Sequence, residues 1–119
     1  MEPNPLYGTT DYLLALPQLI YDAEKELMLA NLAIATAKEA LKKQEGALLQ
    51  GKDPVIRIDG KNVETREAQL RDATKPERQV LQTKTYQVQE ITCKISHLYN
   101  QFRAYETVAQ LRTQLRPAS

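Results

Sequence analysis

Cys93 and His97 are the two residues of this chain whose types and spacing come closest to catalytic chemistry. They lie four residues apart, so a helix places both side chains on one face, where a thiol and an imidazole can bind a metal ion or form an activated nucleophile. The chain holds no second Cys or His to complete a metal site or a triad. We therefore expect a solvated helix face, no metal, no cofactor and no enzymatic activity.

A mixed cluster of acidic and basic residues follows the middle of the sequence. Spacings of three to five residues along a helix suit ion pairs on its surface better than they suit a metal site or an acid–base site. We expect such surface ion pairs to join Glu64, Glu67 and Asp72 to Arg66, Arg71 and Lys75.

Positive charge is concentrated in the second half of the chain. Residues 1–50 hold four Lys/Arg and seven Asp/Glu, whereas residues 51–119 hold twelve and eight, and the net charge is +1. One interpretation is that complementary halves fold onto each other. The other is that a basic helix with interleaved aromatic residues binds nucleic acid, with contacts from Arg78, Lys94 and Arg103. Because these cations are widely spaced for phosphate binding, nucleic acid is the alternative partner.

A seven-residue apolar repeat predicts the helices that must position these side chains. In the first half one column is aliphatic throughout, and the positions three residues on are mostly Ala, which lets two backbones approach closely. The second half repeats the pattern, with Lys84 as an interruption. The sequence therefore predicts an all-α, coiled-coil-like antiparallel helical hairpin whose seam contains Leu13, Ile20, Leu27, Ile34, Leu41 and Leu48 on the first arm and Leu81, Val88, Ile91, Ile95 and Leu98 on the second.

One domain, 1–119, accounts for this pattern, with a first arm at about 11–50, a connector at 51–62 and a second arm at about 63–115. An antiparallel register in which opposed residue numbers sum to 111 brings apolar residues of the two arms together. The centre of that register lies inside the connector, although the two repeats were assigned without reference to the connector. The agreement favours a hairpin over two separate helices.

Capping residues predict where the arms begin and end. Thr9 or Thr10 can cap the first helix, because a hydroxyl satisfies a free backbone N–H group. Pro17 lies too far in to be a first-turn proline, so it should kink the helix or delay its start. Gly51 is suited to end the first arm, and Asn62 is suited to cap the second.

The connector and the second arm each contain an interruption. Residues 55–58, followed by Asp59 and Gly60, indicate a short β-hairpin or β-turn element at the tip. Residues 74–77 match the capping box T-x-x-E and include a proline, which is unfavourable inside a helix. We expect the second arm to break or kink near Pro76.

The end of the second arm has no counterpart on the shorter first arm. Unless Leu6 and Tyr7 cover Phe102 and Tyr105, it leaves an apolar surface formed by Phe102, Tyr105, Val108, Leu111 and Leu115. Further apolar residues outside the seam are Tyr12, Leu19, Leu29, Leu32 and Val80. A lone two-helix hairpin buries little, and an exposed apolar stripe is typical of an interaction surface. We expect a homo-oligomer, with a dimer forming a four-helix bundle favoured, that also docks on a protein partner.

The run IDGKNVETREAQLRDAT, residues 58–74, resembles part of uncharacterised small helical-hairpin proteins of bacteriophages and mobile elements. The two-helix layout on either side of the run belongs to the resemblance. It implies an accessory protein or a virion component, or, for a nucleic-acid partner, a recombination accessory or a nuclease inhibitor. It carries over no catalytic residues.

The sequence also bears on the compartment. No apolar run reaches the roughly 18 residues that span a bilayer. The first ten residues lack the basic and apolar regions of a secretory signal. The single Cys cannot form an internal disulfide, which fits a reducing environment. We expect a cytoplasmic protein that makes no membrane contact.

Overall fold

The structure, a computed structural model, describes residues 5–115 of the chain, with side chains from residue 11 onward. Within this range the chain forms three helices: α1 at Pro5–Leu49, α2 at Val63–Ala73 and α3 at Lys75–Gln114. No residue in the same range is in a strand. The prediction of an all-α helical hairpin is confirmed.

The chain divides into two compact units that share the long helices. We call them the terminal unit, which comprises Met1–Met28 and Gln89–Ser119, and the central unit, Leu29–Val88. Each unit therefore contains part of α1 and part of α3, and α2 lies wholly in the central unit.

In the terminal unit, α1 and α3 pack antiparallel around a small apolar cluster. Leu16, Ile20, Ala23 and Leu98 are buried together. Tyr12, Leu13, Ile95, Phe102 and Tyr105 are partly buried and pack against them. The antiparallel direction is evident from polar contacts at the edge of the cluster, because Tyr12 bonds Gln101 whereas Glu26, later on α1, bonds Lys94, earlier on α3.

In the central unit, Ala37, Leu48 and Thr74 are the buried residues. Leu48 is 1% exposed and Thr74 is completely buried. The α1 and α3 segments of this unit are joined by an ion pair between Glu45 and Arg78, whose charged atoms lie 2.9 Å apart. The buried alanine is consistent with the predicted close approach of helix backbones along this column.

The seam residues named above are buried or half-buried in both units. Ala109, which continues the same seven-residue column after Phe102, is exposed. Lys84, the interruption in the repeat, is also half-buried, as expected for a lysine whose stem lies along apolar neighbours.

The register of the two arms differs from the predicted one. Opposed numbers that sum to 111 would place Tyr12 opposite Tyr99. Instead, the Tyr12 hydroxyl donates to Oε1 of Gln101 at 2.6 Å, and its ring centroid lies 5.5 Å from that of Tyr105. The Tyr99 hydroxyl donates to Oε1 of Glu24. These contacts are displaced towards the end of α3 relative to the predicted register, which was centred inside the connector.

The start of α1 also differs from the prediction. Thr9 and Thr10 lie inside the helix, which begins at Pro5, so neither is its N-cap. A proline suits the first helical position, because its φ is already helical and its missing N–H would have no partner there. Pro17 does not delay the start, since α1 continues through it. Burial of Leu16 and Ile20 on either side helps to offset the lost hydrogen bond.

Gly51 ends α1 as predicted. Its φ is +69°, the left-handed conformation that glycine adopts without strain. The N–H of Gly51 donates to the carbonyl of Leu48, and the N–H of Lys52 donates to that of Ala47, both at 3.1 Å. This pair of bonds is the Schellman motif, which satisfies the last carbonyls of the helix.

The predicted β-hairpin in the connector is wrong. The Asp53 carboxylate accepts the N–H groups of Ile56 and Val55, so these amides are not available to a strand. The same bonds hold the pKa of Asp53 below its usual 3.8, with the larger effect from Ile56. Gly60 does not have the positive φ that the expected two-residue turn requires. Its N–H instead donates to the side chain of Gln69, 2.9 Å away.

The two remaining cap predictions have different outcomes. Asn62 caps α2 as predicted, because its Oδ1 accepts the N–H of Thr65 at 2.7 Å. The second arm breaks at Thr74, next to Pro76, but the capping box is not formed. The Thr74 hydroxyl donates to the Leu70 carbonyl and accepts from Nε of Arg78. Because the hydroxyl makes these two bonds, it does not form the bond to a backbone amide of α3 that a capping box requires.

Replacing Gly60 with Ala tests the close approach of the connector to α2. A Cβ there would lie 2.8 Å from the Thr65 side chain and 2.9 Å from the backbone nitrogen of Arg66. We expect the free energy of unfolding to fall by about 1–3 kcal/mol, since the backbone cannot yield without strain. Urea unfolding followed by circular dichroism measures it.

The matched control is Gly46→Ala inside α1. A Cβ at this position meets nothing within 4 Å. The helix should therefore become more stable by about 1 kcal/mol. Equal effects of the two substitutions would contradict the described connector.

Candidate interaction surfaces

The apolar end of the second arm has two parts. Phe102 and Tyr105 are half-buried against the cluster of the terminal unit. Val108, Leu111 and Leu115 are exposed, and Leu115 is 81% exposed. The spacings of three and four residues place these three side chains on one helix face. We call them the α3 end stripe. The predicted five-residue surface is thus divided between core packing and a free stripe.

A second apolar surface lies on α1. Leu14, Tyr21 and Met28 are 75%, 61% and 55% exposed and are spaced by seven residues, so they form one column along the helix. We call them the outer column. It belongs to the terminal unit. Sequence reasoning missed it, because the stronger repeat of the seam also has a period of seven. A search for a second heptad column in the same helix would have found it.

The other apolar positions predicted outside the seam are mostly exposed. Leu19, Leu29, Leu32 and Val80 all present large side chains to solvent. Tyr12 is the exception, because it packs against the cluster and against Tyr105. The seam therefore leaves a large share of the apolar side chains uncovered.

Two of the three cations predicted for nucleic acid are engaged within the chain. Arg78 is paired with Glu45 at 2.9 Å. Lys94 lies 3.4 Å from Glu26, and both of these side chains are more than half exposed. Arg103 is exposed. The partners of the first two cations lie on α1, which agrees with the interpretation that halves of complementary charge fold onto each other.

The predicted surface ion pairs around α2 are absent. Among the described residues, ion pairs join only Glu45 to Arg78 and Glu26 to Lys94. The acidic and basic side chains of α2 are exposed instead, where water competes for each charge and ordering two long side chains costs entropy. Arg71 and Lys75 are consequently free for other contacts.

Cys93 and His97 are both exposed on α3. Across residues 5–115, no three His, Cys, Asp or Glu side chains come together as a metal site. In this part of the chain, the pair is therefore not extended into a metal site.

Comparisons with known proteins return no match: no protein-family model fits the chain, and neither a curated protein nor a solved structure is detectably similar to it. The helices of the described range include none with the length and apolar character needed to cross a membrane.

The division of the apolar end predicts contrasting effects of truncation. Phe102→Ala should lower the free energy of unfolding by about 2–3 kcal/mol, somewhat less than full burial of Phe would give, because the ring is only half-buried. Leu111→Ala should change it by less than about 0.5 kcal/mol. Urea unfolding of both variants measures the contrast. A loss of similar size for Leu111→Ala would show that the stripe is covered within the chain.

The bond between Tyr99 and Glu24 predicts a pH effect. The Glu24 carboxylate accepts a hydrogen bond from the Tyr99 hydroxyl at 2.6 Å, and this bond raises the pKa of Tyr99 above 10.0. Because the folded pKa is raised, the contribution of this bond to stability is present below pH 10 and is lost as pH rises through the folded value. We expect Glu24→Gln to lower the Tyr99 pKa, as measured by NMR titration of its ring. Glu90→Gln is the control, and an unchanged pKa in Glu24→Gln would refute the bond.

Proposed function

We propose that this protein is a non-enzymatic helical interaction protein that forms a homodimer and docks on a protein partner. The residues nearest to catalytic chemistry, Cys93 and His97, stand on an exposed helix face. The proposal rests on how much apolar surface the chain leaves uncovered.

Exposed apolar side chains are the observation that carries the proposal. Among the described residues, six apolar side chains are buried whereas sixteen large ones are exposed. Apolar surface exposed in this way is typical of an interaction site.

The outer column is the part of this surface that best fits a second copy of the chain. A straight column on one helix is complementary to itself across a two-fold axis, as the interface of a symmetric dimer must be. Glu24 and Lys25 lie three and four residues after Tyr21 and so flank the column on opposite sides. Parallel pairing of two copies would bring Glu24 of one helix beside Lys25 of the other.

The α3 end stripe supports the second half of the proposal, docking on another protein. It belongs to the same terminal unit as the outer column but lies on α3, whereas the outer column lies on α1. The resemblance of residues 58–74 supports a setting in a bacteriophage or mobile element, as an accessory or a virion component. Recovery of the protein in purified phage particles, identified by mass spectrometry, would test that setting.

Direct nucleic-acid binding through Arg78, Lys94 and Arg103 remains the second candidate. It is supported by the positive charge of the second half. It is weakened by the ion pairs of Arg78 and Lys94 with α1. The ratio of absorbance at 260 and 280 nm separates the two candidates, because a chain without Trp absorbs weakly and co-purified nucleic acid dominates the signal.

The proposed dimer predicts the effect of charge in the outer column. In size-exclusion chromatography with light scattering, we expect the protein to elute as a dimer. Tyr21→Lys should shift it to monomer, because a lysine in the centre of an apolar interface is costly to bury. The helical circular dichroism signal should be unchanged, since Tyr21 is exposed in the single chain.

Gln89→Lys is the matched control, because it places the same side chain at an exposed position of α3. It should leave the dimer intact. A wild-type monomer would refute self-association, and a dimer that survives Tyr21→Lys would refute the outer column as its interface. Substituting Leu98 cannot make this distinction, since Leu98 is buried in the hairpin and its loss would unfold the terminal unit.

A further inference from the structure

A basic groove lies in the central unit at the junction between α2 and α3. It is open to solvent and has a volume of about 490 Å³. Three cations line it, Arg71, Lys75 and Arg78, together with Asp72, Gln79 and Gln82. The lining residues carry a net charge of +2, and the charge of one of them, Arg78, is paired with Glu45.

Lys75 is placed at a cost to helix stability. It lies three residues before Arg78 on α3, and like charges at this spacing are unfavourable neighbours. Lys75 is also the first residue of α3, where the positive end of a helix disfavours a cation. Arg71 lies in the last turn of α2, where a cation is favourable. Arg71 and Lys75 form no ion pair with any described residue.

Arg78 is held in a fixed orientation by two hydrogen bonds. Its Nη2 donates to Glu45 and its Nε donates to the buried Thr74 hydroxyl, each at 2.9 Å. Its third nitrogen, Nη1, makes no hydrogen bond to a described residue. A guanidinium fixed on two sides loses little freedom when the remaining nitrogen meets a ligand.

We infer that this groove binds phosphate groups. Phosphate oxygens match the donors of Arg and Lys, and a bound phosphate would supply the opposite charge that Arg71 and Lys75 lack among the described residues. The side-chain amide of Gln79 lines the same groove and adds a donor, whereas that of Gln82 donates to the Tyr86 hydroxyl at 3.2 Å. The phosphate can belong to a small compound or to the backbone of a nucleic acid. The inference does not depend on self-association.

Two probes test the site, pyrophosphate and a labelled dT20 oligonucleotide, with the full chain in both cases. Pyrophosphate binding is measured by calorimetry, and oligonucleotide binding by fluorescence anisotropy. We expect the double variant Arg71→Gln/Lys75→Gln to bind at least tenfold more weakly than the wild type. With three phosphate contacts, affinity for dT20 should fall roughly 20-fold between 50 and 200 mM salt.

Arg57→Gln/Lys61→Gln is the matched control. It removes the same charge from exposed positions of the connector outside the groove. Its affinity should stay within about twofold of the wild type. Both double variants alter exposed side chains, and their circular dichroism spectra should be unchanged.

Either probe supports the site when its binding depends on Arg71 and Lys75, and the probe that binds identifies the source of the phosphate. Binding of pyrophosphate indicates a small phosphate compound, and binding of dT20 alone indicates a nucleic-acid backbone. Two outcomes overturn the inference. One is that neither probe binds at 50 mM salt. The other is that both double variants lose affinity equally, which would show attraction to net charge and no defined groove.

Discussion

Burial of the apolar seam is the interaction on which the rest of this structure depends. In the terminal unit Leu16, Ile20 and Ala23 of α1 are buried with Leu98 of α3, and the small alanine lets the two backbones approach closely. At the edges of this apolar contact, side-chain hydrogen bonds join α1 to α3 through Tyr12, Glu24 and Glu26. These polar bonds are exposed or half-buried, so they refine the register but contribute little stability compared with the apolar contact.

A seam of this kind covers the apolar side chains on only one side of each helix. A long two-helix chain has few side chains that are covered on all sides, and the described residues expose more large apolar groups than they bury. Because two helices cover each other on one side only, the outer column and the α3 end stripe remain exposed to solvent. Association is the usual way in which such surfaces are removed from water, and this physical need underlies the proposed dimer.

The junction between α2 and α3 shows how one buried hydroxyl can organise a charged region. Thr74 is completely buried and bonds both the Leu70 carbonyl and Nε of Arg78. That use of the hydroxyl displaces the predicted capping box and orients Arg78 towards Glu45. Arg71 and Lys75, which sequence spacing assigned to ion pairs with carboxylates, instead line a groove with Arg78. The phosphate inference follows from this rearrangement.

The sequence by itself determined the helices, the seam and three of the boundaries, because each depends on local chemistry. Heptad spacing selects the buried face, Gly51 alone tolerates the left-handed turn, Asn62 caps its own helix, and Pro76 cannot continue one. Only the tertiary structure decided the remainder. Pro17 stays within α1 because flanking residues are buried, and the connector avoids strand pairing because the Asp53 and Gln69 side chains bond its amides. The register and the groove depend on residues distant in sequence, so no local pattern contains them.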